Sequence, residues 1–243
     1  MNLIVDIGNT YIKLAVFEGD TLNFKKIIKS EFFLDEVNQL LKKNPFIKKA
    51  IVSSVGKSKK DDISYLKKKL HVLELNSNTP LPFINKYDTP NSLGIDRLAL
   101  VCASVFQFPN NNVLILDAGT CITYDFVTDK NEYLGGAISP GIQLRYKSLH
   151  TFTANLPLLQ TEVPENIIGN STSNSIHSGV VYGVLNEIDG VIDTYKQKYS
   201  DLTVILTGGD ANFLSKQLKS SIFANSNFLL EGLNTILQFN SNE

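Results

Sequence analysis

An internal repeat is the sequence feature that most limits how this chain can fold. The segment LIVDIGNTYIKLAVFEGD at residues 3–20 aligns without a gap to LILDAGTCITYDFVTDKN at residues 114–131. The offset of 111 residues is close to half of the 243-residue chain, and it places Asp117 on Asp6 and Gly119 on Gly8. A strand, a turn and a strand repeated at this spacing predict two tandem domains with the same architecture.

The apolar pattern around the repeat predicts the order of strands and helices. The first half indicates strands at 3–5, 11–17, 22–28, 48–55 and 71–75, and helices at 32–41, 61–70 and 94–108. The second half indicates strands at 113–116, 120–126, 132–138 and in LTVILTGGD, helices at about 141–151 and 173–199, and two closing helices. The predicted fold class is α/β, with domains at residues 1–110 and 111–243. Each domain is expected to be a mixed five-stranded sheet flanked by helices, with a cleft between the two.

Composition and charge narrow the classes of function. The net charge of −1 with 19% charged residues gives the chain no general attraction to nucleic acid or to an anionic membrane. Cys102 and Cys121 form no disulfide or zinc pattern, and the three histidines are scattered. No apolar run approaches the roughly 18 to 20 residues that span a bilayer. We therefore expect a cytoplasmic protein that binds neither nucleic acid nor a membrane.

The two repeated turns carry polar residues that suggest a phosphate and metal site. Asp6 and Asp117 each end an apolar strand, where a carboxylate is costly unless it meets a cation. The glycine that follows lets backbone amides approach phosphate oxygens, and Thr10 and Thr120 add hydroxyl donors. Lys13 could reach a terminal phosphate. The alternative is a pair of ordinary hairpin turns with polar tips.

The segment NSLGIDRLALV places Asp96 and Arg97 in the first turn of an apolar helix, directly after a long loop that contains prolines. Adjacent residues on a helix project about 100° apart, so these two side chains can serve two atoms of one ligand. Asp96 could take a hydroxyl proton, while Arg97 holds a carboxylate or a phosphate. An acidic residue at this position is also an ordinary choice for a helix start.

The segment LTGGD, residues 206–210, ends a third strand with two glycines before a helix. The absence of side chains there would let a planar ring or a ribose lie against the backbone. A tight strand-to-helix turn with Asp210 as the helix N-cap is an equal alternative. The chain has neither a Walker A loop nor a dinucleotide-binding fingerprint.

Several motifs together resemble those of the type III pantothenate kinase family. They are DIGNT at the start, GIDR, DAGTCIT, YLGGAISPGIQL, TANLP and IGNSTSNSIHSGVVYG, and the resemblance extends from Asn2 to at least Asp210. It implies the fold of the superfamily that includes acetate kinase, sugar kinases and actin. That fold, also called the actin-like ATPase fold, consists of two duplicated ribonuclease-H-like domains. This agrees with the repeat.

The resemblance also implies an activity, cofactors and partners. The family phosphorylates the primary hydroxyl of pantothenate with ATP to give 4'-phosphopantothenate, the first step of coenzyme A biosynthesis. It uses Mg2+ with ATP and a monovalent cation, K+ or NH4+. The implied assembly is a homodimer whose active site is completed at the subunit interface.

The roles of individual residues follow from the same resemblance. The ATP-binding residues would be Asp6, Ile7, Gly8, Asn9, Thr10, Tyr11, Ile12, Lys13 and Thr120. Asp96 would be the general base, and Asp117 would hold the monovalent cation. Pantothenate would be bound by Tyr87, Gly94, Ile95, Asp96, Arg97 and Thr172.

The chain departs from the commoner family pattern at two positions. Cys121 stands where alanine is usual, and Asn170 stands where a basic residue often precedes the Ser-Thr pair. The leading rival function is a noncatalytic nucleotide-sensing regulator of the same fold, which would lack the base or the cation carboxylate. A phosphatase of the same fold, without a shaped acceptor pocket, and a structural domain with incidental polar turns are two further candidates.

Overall fold

The structure, a computed structural model, describes residues 1–8, 11–54 and 60–241. In its first part the strands are β1 (Asn2–Ile7), β2 (Ile12–Glu18), β3 (Thr21–Ile28), β4 (Lys49–Ser54), β5 (His71–Glu74) and β6 (Ile84–Asn85). The helices are α1 (Phe33–Lys43), α2 (Lys60–Lys67) and α3 (Ile95–Gln107), with short 3-10 helices at Ser30–Phe32 and Pro90–Ser92. These elements follow the order that the apolar pattern predicts.

The second part of the chain repeats the opening of the first and then adds long helices. Its strands are β7 (Asn112–Ala118), β8 (Cys121–Val127), β9 (Glu132–Pro140), β10 (Leu202–Thr207) and β11 (Phe223–Ala224). Its helices are α4 (Ile142–Thr151), α5 (Thr172–Lys198), the single turn α6 (Ala211–Leu214) and α7 (Phe228–Phe239). Within the described residues, no helix has both the length and the apolar content needed to cross a membrane.

The chain divides into two compact units. Unit 1 is Met1–Pro109 together with Asn227–Glu243, and unit 2 is Asn110–Ser226. The sequence placed all of residues 111–243 in the second domain, so the C-terminal segment differs from that assignment. The reason is the apolar face of α7, whose Leu230, Leu233 and Ile236 are buried in one cluster with residues of α3 and β1.

Unit 1 is built on a sheet in the order β3-β2-β1-β4-β5. β1, β2 and β3 are antiparallel, while β4 and β5 continue the sheet in parallel. β1 is covered on both faces, since Leu3 and Val5 join the cluster beneath α1 and Ile4 joins the cluster that contains α3 and α7. Burial on both faces explains why β1 is an unbroken apolar run up to Asp6.

In unit 2 the strands pair in the order β11-β10-β7-β8-β9. β7 and β8 are antiparallel, and β10 runs parallel to β7. The long helix α5 packs on this sheet with Val180, Val184 and Ile188, which recur at helical spacing and are buried with strand residues of β7, β8 and β10. Both units therefore have the mixed sheet flanked by helices that the sequence predicts.

The two repeated hairpins differ by one residue in their turns. Ile7 pairs with Ile12 across the first hairpin, with four residues between them, whereas Ala118 pairs with Ile122, with three residues between them. As a result, Lys13 is the residue opposite Asp6, and Thr123 is the residue opposite Asp117. A one-residue change in register alters which side chain stands beside each carboxylate.

Candidate active site

The first repeated turn places Asp6 in a polar position at the end of a buried strand. Asp6 is only 5% exposed. Its neighbour across the hairpin is Lys13, whose Nζ lies 3.1 Å from Asp6 Oδ2, and its neighbour on the parallel strand β4 is Ser53. The Lys13 side chain is partly exposed, so its ammonium can exchange between Asp6 and another anion.

The positive charge beside Asp6 does not offset the burial of its carboxyl group. Burial raises the pKa of Asp6 above its ordinary value, and Lys13 acts in the opposite direction without cancelling the rise. The negative charge of Asp96 adds to the rise, so the two carboxylates interact electrostatically within unit 1. A buried carboxylate that interacts electrostatically with a second one has the chemistry that a hydrated divalent cation requires.

The start of α3 holds the Asp96 carboxylate in a defined position. Asp96 Oδ1 accepts a hydrogen bond from the backbone N–H of Arg97 at 2.8 Å. Gly94 precedes it with φ −60° and ψ 131°, a conformation open to any residue. A Cβ at Gly94 would lie 2.4 Å from Asp96 Oδ1. Glycine therefore provides space for the carboxylate at this position.

The acceptor residues predicted from the long loop and from α3 come together in unit 1. Arg97 is buried, and its Cζ lies 5.6 Å from the centroid of the Tyr87 ring. The Tyr87 backbone N–H donates to Asn85 Oδ1 at 3.0 Å, which anchors this part of the loop. Ile95 is the first residue of α3, and it packs against the cluster that contains α7. A guanidinium over an aromatic ring is a favourable and orienting contact.

The described contacts of Ile7, Gly8, Tyr11 and Ile12 in the first turn mostly hold the hairpin together. Ile7 and Ile12 are buried and form the last pair of the β1–β2 ladder. Gly8 N–H donates to Tyr11 O at 3.0 Å, and the Tyr11 side chain is exposed. Asn9 and Thr10 lie outside the described residues, so their contacts with ATP remain predictions.

The second repeated turn forms a corresponding site in unit 2. Asp117 is half-buried near the end of β7, with Thr123 opposite it on β8 and Thr207 in register on β10. Gly208, at φ 96°, passes so close that a Cβ would lie 2.5 Å from Asp117 Oδ1. The LTGGD turn thus packs directly against the DAGT turn.

Thr120 and Asp210 border the same turn. Thr120 is exposed, and its carbonyl oxygen accepts from Gly141 N–H at 3.0 Å. Asp210 N–H donates to Ala118 O at 2.9 Å. Asp210 occupies the N-cap position of α6, but its side chain makes no capping hydrogen bond within the described part of the chain. Burial raises the pKa of Asp210.

Thr172 is the first residue of α5 and lies at a cavity of unit 2. The preceding residue, Ser171, caps this helix, because its hydroxyl oxygen accepts a hydrogen bond from Asn174 N–H at 3.2 Å. The cavity has a volume of about 700 Å³ and is lined by Arg145, Ser148, Leu149, Leu156, Thr172, Ser175, Ile176, Gly179 and Val180. Arg145 donates to Pro140 O and to Ser139 Oγ, both at 2.8 Å, and pairs with Glu187. The Arg145 guanidinium is therefore held in place at the cavity wall.

Glu187 lies at the centre of this polar network. Burial alone would raise its pKa, but hydrogen bonds from Arg145, Ser139 and Tyr124 outweigh burial and lower it. Glu187 is consequently a carboxylate that keeps its charge, and it orients Arg145 rather than serving as a base.

The structure adds residues that sequence reasoning did not single out. Ser53, Thr123 and Thr207 stand beside the two repeated carboxylates. Ser53 and Thr207 each lie near the carboxyl end of a buried parallel strand, which is the same signal that drew attention to Asp6. Thr123 could not be found this way, because its position opposite Asp117 depends on the length of the turn.

Solved structures with the same architecture show the fold class of this chain. A conserved Campylobacter jejuni protein, provisionally described as a Baf family transcriptional activator, aligns with a TM-score of 0.65 and 22% identity over 99% of this chain and 100% of its own. A hexokinase of the ROK group from Thermus thermophilus aligns with a TM-score of 0.53 and 12% identity over 98% of each chain. The fold is that of the actin-like ATPases and sugar kinases, with duplicated ribonuclease-H-like domains.

Sequence relatives identify the family within that class. The family model for type III pantothenate kinase matches residues 2–194. A type III pantothenate kinase of Christiangramia forsetii is 52% identical over 243 residues, covering 100% of both chains. Another, from Flavobacterium psychrophilum, is 48% identical over 98% of this chain and 99% of its own. The chain belongs to the type III pantothenate kinase family.

Proposed function

We propose that this protein is an ATP-dependent kinase that phosphorylates the primary hydroxyl of pantothenate to 4'-phosphopantothenate, the first step of coenzyme A biosynthesis. The observation that carries the proposal is the full-length match to relatives that bear this name. The position of Asp96 supports it, because its carboxylate is fixed at a helix start and interacts electrostatically with Asp6.

Asp96 is the general base in this proposal. The pantothenate hydroxyl oxygen attacks the γ-phosphorus of ATP, and its proton passes to the Asp96 carboxylate. The bond from that phosphorus to the bridging oxygen breaks, and ADP leaves with the electron pair. Because the transition state of phosphoryl transfer is loose, the protein contributes chiefly positioning and charge stabilisation.

The residues around Asp6 organise the ATP phosphates. Asp6 would hold Mg2+, which supplies charge neutralisation to the phosphates when bound. The described site fits such a cation, since Asp6 is buried, has a raised pKa and lies near a second carboxylate. Lys13, paired with Asp6 in this structure, would then turn its ammonium towards a phosphate oxygen. The remaining residues assigned to ATP, from Ile7 to Ile12 and Thr120, would supply backbone and hydroxyl donors.

Arg97 and Tyr87 are assigned to the acceptor. The Arg97 guanidinium lies over the Tyr87 ring, so it has few alternative orientations, and it would bind the carboxylate of pantothenate. Gly94 and Ile95 would line the same position. Thr172 would contact pantothenate from the cavity at the start of α5.

Asp117 is assigned to the monovalent cation, K+ or NH4+. Threonine residues on both neighbouring strands give this site the oxygen-rich, mostly neutral donor set that such ions bind. Groups of three or more acidic, histidine or cysteine residues suited to a metal are absent from the described part of the chain.

We assign a homodimer, with a second copy of the chain covering the cavity of unit 2. Large apolar side chains are exposed along β9, α4 and the segment that leads to α5, namely Leu134, Ile138, Leu144, Phe152, Leu158, Val163, Ile167 and Ile168. This set includes two of the most exposed large apolar residues of the described chain, and α4 and the segment that leads to α5 also line the cavity. Exposed apolar surface of this extent is typical of an interface.

A nucleotide-sensing regulator is not favoured. Its distinguishing feature would be the loss of the base or of the cation carboxylate, and the chain has both Asp96 and Asp117.

The test is an assay of purified protein with ATP, MgCl2 and KCl, and with pantothenate or a panel of sugars and small hydroxy acids. We expect phosphorylated pantothenate by mass spectrometry and coupled ADP release, at a kcat/KM at least about tenfold above that for any other acceptor. ATP turnover that does not depend on pantothenate would contradict the proposal.

A further inference from the structure

The two repeated hairpins differ in the residue that stands opposite the carboxylate. Lys13 stands opposite Asp6, and Thr123 stands opposite Asp117. The neighbours on the parallel strand are alike, because both are hydroxyl residues, Ser53 and Thr207. The hairpin of unit 1 thus places an ammonium at a position where the hairpin of unit 2 places a neutral hydroxyl.

The contact in unit 1 shows where a cation sits in this arrangement. Lys13 Nζ lies 3.1 Å from Asp6 Oδ2. Residues directly opposite in an antiparallel pair point to the same face of the sheet, with Cβ atoms about 5 Å apart. The space beside Asp117 on that face is therefore bordered by the side chain of Thr123.

The Thr123 hydroxyl itself points to a ligand. Its Oγ1 is buried and has no hydrogen-bond partner among the residues that the structure describes. A buried hydroxyl without a partner is rare in folded proteins and costs stability. A bound cation would give this oxygen a partner, and a hydroxyl oxygen is a suitable ligand for a potassium-sized ion.

We propose that Thr123 is a ligand of the monovalent cation assigned to Asp117, and that a lysine at position 123 can replace this cation. The inference rests on the Asp117 assignment made under the proposed function. In unit 1 the Lys13 ammonium occupies the position beside Asp6 that corresponds to the proposed ion beside Asp117. A lysine at position 123 that extends as Lys13 does would therefore bring its own positive charge to Asp117.

Three variants separate this role from that of an ordinary strand residue. Thr123→Val keeps the branched shape and the strand preference but removes the oxygen. Thr123→Lys supplies the charge. Thr194→Lys is the matched control, because Thr194 is an exposed residue of α5 in the same unit and its substitution adds an equal charge.

Cation binding is measured as the shift in Tm on replacing tetramethylammonium chloride with KCl at constant ionic strength. The measurement is made with and without Mg2+ and a non-hydrolysable ATP analogue. At about ten times the Kd for K+, linkage predicts a rise of about 3 °C for the unaltered protein and for Thr194→Lys. Thr123→Val should require about tenfold more K+ for the same rise. Thr123→Lys should show no rise, with a Tm in tetramethylammonium close to that of the unaltered protein in K+.

Two results would overturn the inference. One is a K+ response of Thr123→Val equal to that of the unaltered protein, which would make the hydroxyl irrelevant to the ion. The other is an absence of any K+ response in the unaltered protein, which would remove the ion from Asp117. Because Tm is read without turnover, either result is distinguishable from a failure of pantothenate phosphorylation in the acceptor assay.

Discussion

Asp6 and Asp96 are 90 positions apart in sequence, yet the charge of Asp96 contributes to the raised pKa of Asp6. This relationship joins the first repeated turn to the start of α3 within unit 1. It brings the residue proposed to organise ATP close to the residue proposed to deprotonate the acceptor. Substitutions at these positions and on the unit 2 surface test the proposed roles.

Asp96→Asn should lower kcat by about 10²- to 10⁴-fold, because the amide cannot accept the hydroxyl proton. The KM for ATP should change little, since Asp96 is not assigned to the nucleotide. Steady-state kinetics and a thermal melt check both points, with Asp88→Asn, an exposed residue of the preceding loop, as the control. Retention of more than about a tenth of the activity would exclude the role of base.

Gly94→Ala should lower kcat while leaving the KM for ATP unchanged. The new methyl group would lie only 2.4 Å from the present position of Asp96 Oδ1, so the carboxylate would have to move. The steric origin can be tested by stability. The alanine should lower Tm in the unaltered protein but not in an Asp96→Ala background, where the crowded carboxylate is absent. Equal loss of Tm in both backgrounds would show that Gly94 serves the backbone and not Asp96.

Asp6→Asn should raise the stability of the ligand-free protein at neutral pH while abolishing activity. Burial raises the folded-state pKa of Asp6 above its ordinary value of 3.8, so the folded state binds this proton more tightly than the unfolded chain. Its contribution to stability is then fully present below pH 3.8 and is lost as pH rises through the folded pKa. The excess Tm of Asp6→Asn should accordingly grow as the pH rises above 3.8 and level off above the folded-state pKa.

Melts of the unaltered protein, Asp6→Asn and Asp129→Asn across this pH range check the prediction, without Mg2+ or nucleotide. Asp129 is exposed and controls for the loss of a carboxylate as such. A Tm difference for Asp6→Asn that is constant with pH would show that titration of Asp6 is not its cause.

Phe152→Asp combined with Ile168→Asp should convert the dimer to monomers, because these side chains are 84% and 81% exposed in the single chain and would be buried by a second copy. Light scattering coupled to size exclusion measures the mass, and the acceptor assay measures whether activity falls with it. Phe46→Asp is the matched control, since Phe46 is 73% exposed but belongs to unit 1. Dissociation by the control, or an unchanged dimer in the double variant, would contradict this interface.

The elements of this fold could be read from sequence because their signals are local. Buried strands such as β1 and β7 are apolar runs, the helices follow a 3.6-residue period, and the repeat at an offset of 111 residues indicates duplication. The residue types of the site were equally visible, since a carboxylate at the end of an apolar run requires a polar partner wherever the strand lies.

Only the tertiary structure decided which distant residues meet. An amphipathic pattern shows that α7 must bury one face, but packing against α3 is what places it in unit 1. Similarly, a turn shorter by one residue puts Thr123 opposite Asp117 where a gapless alignment would have put Tyr124. The physical reason is that element type depends on neighbours along the chain, whereas register and partner choice depend on side chains that meet only after folding.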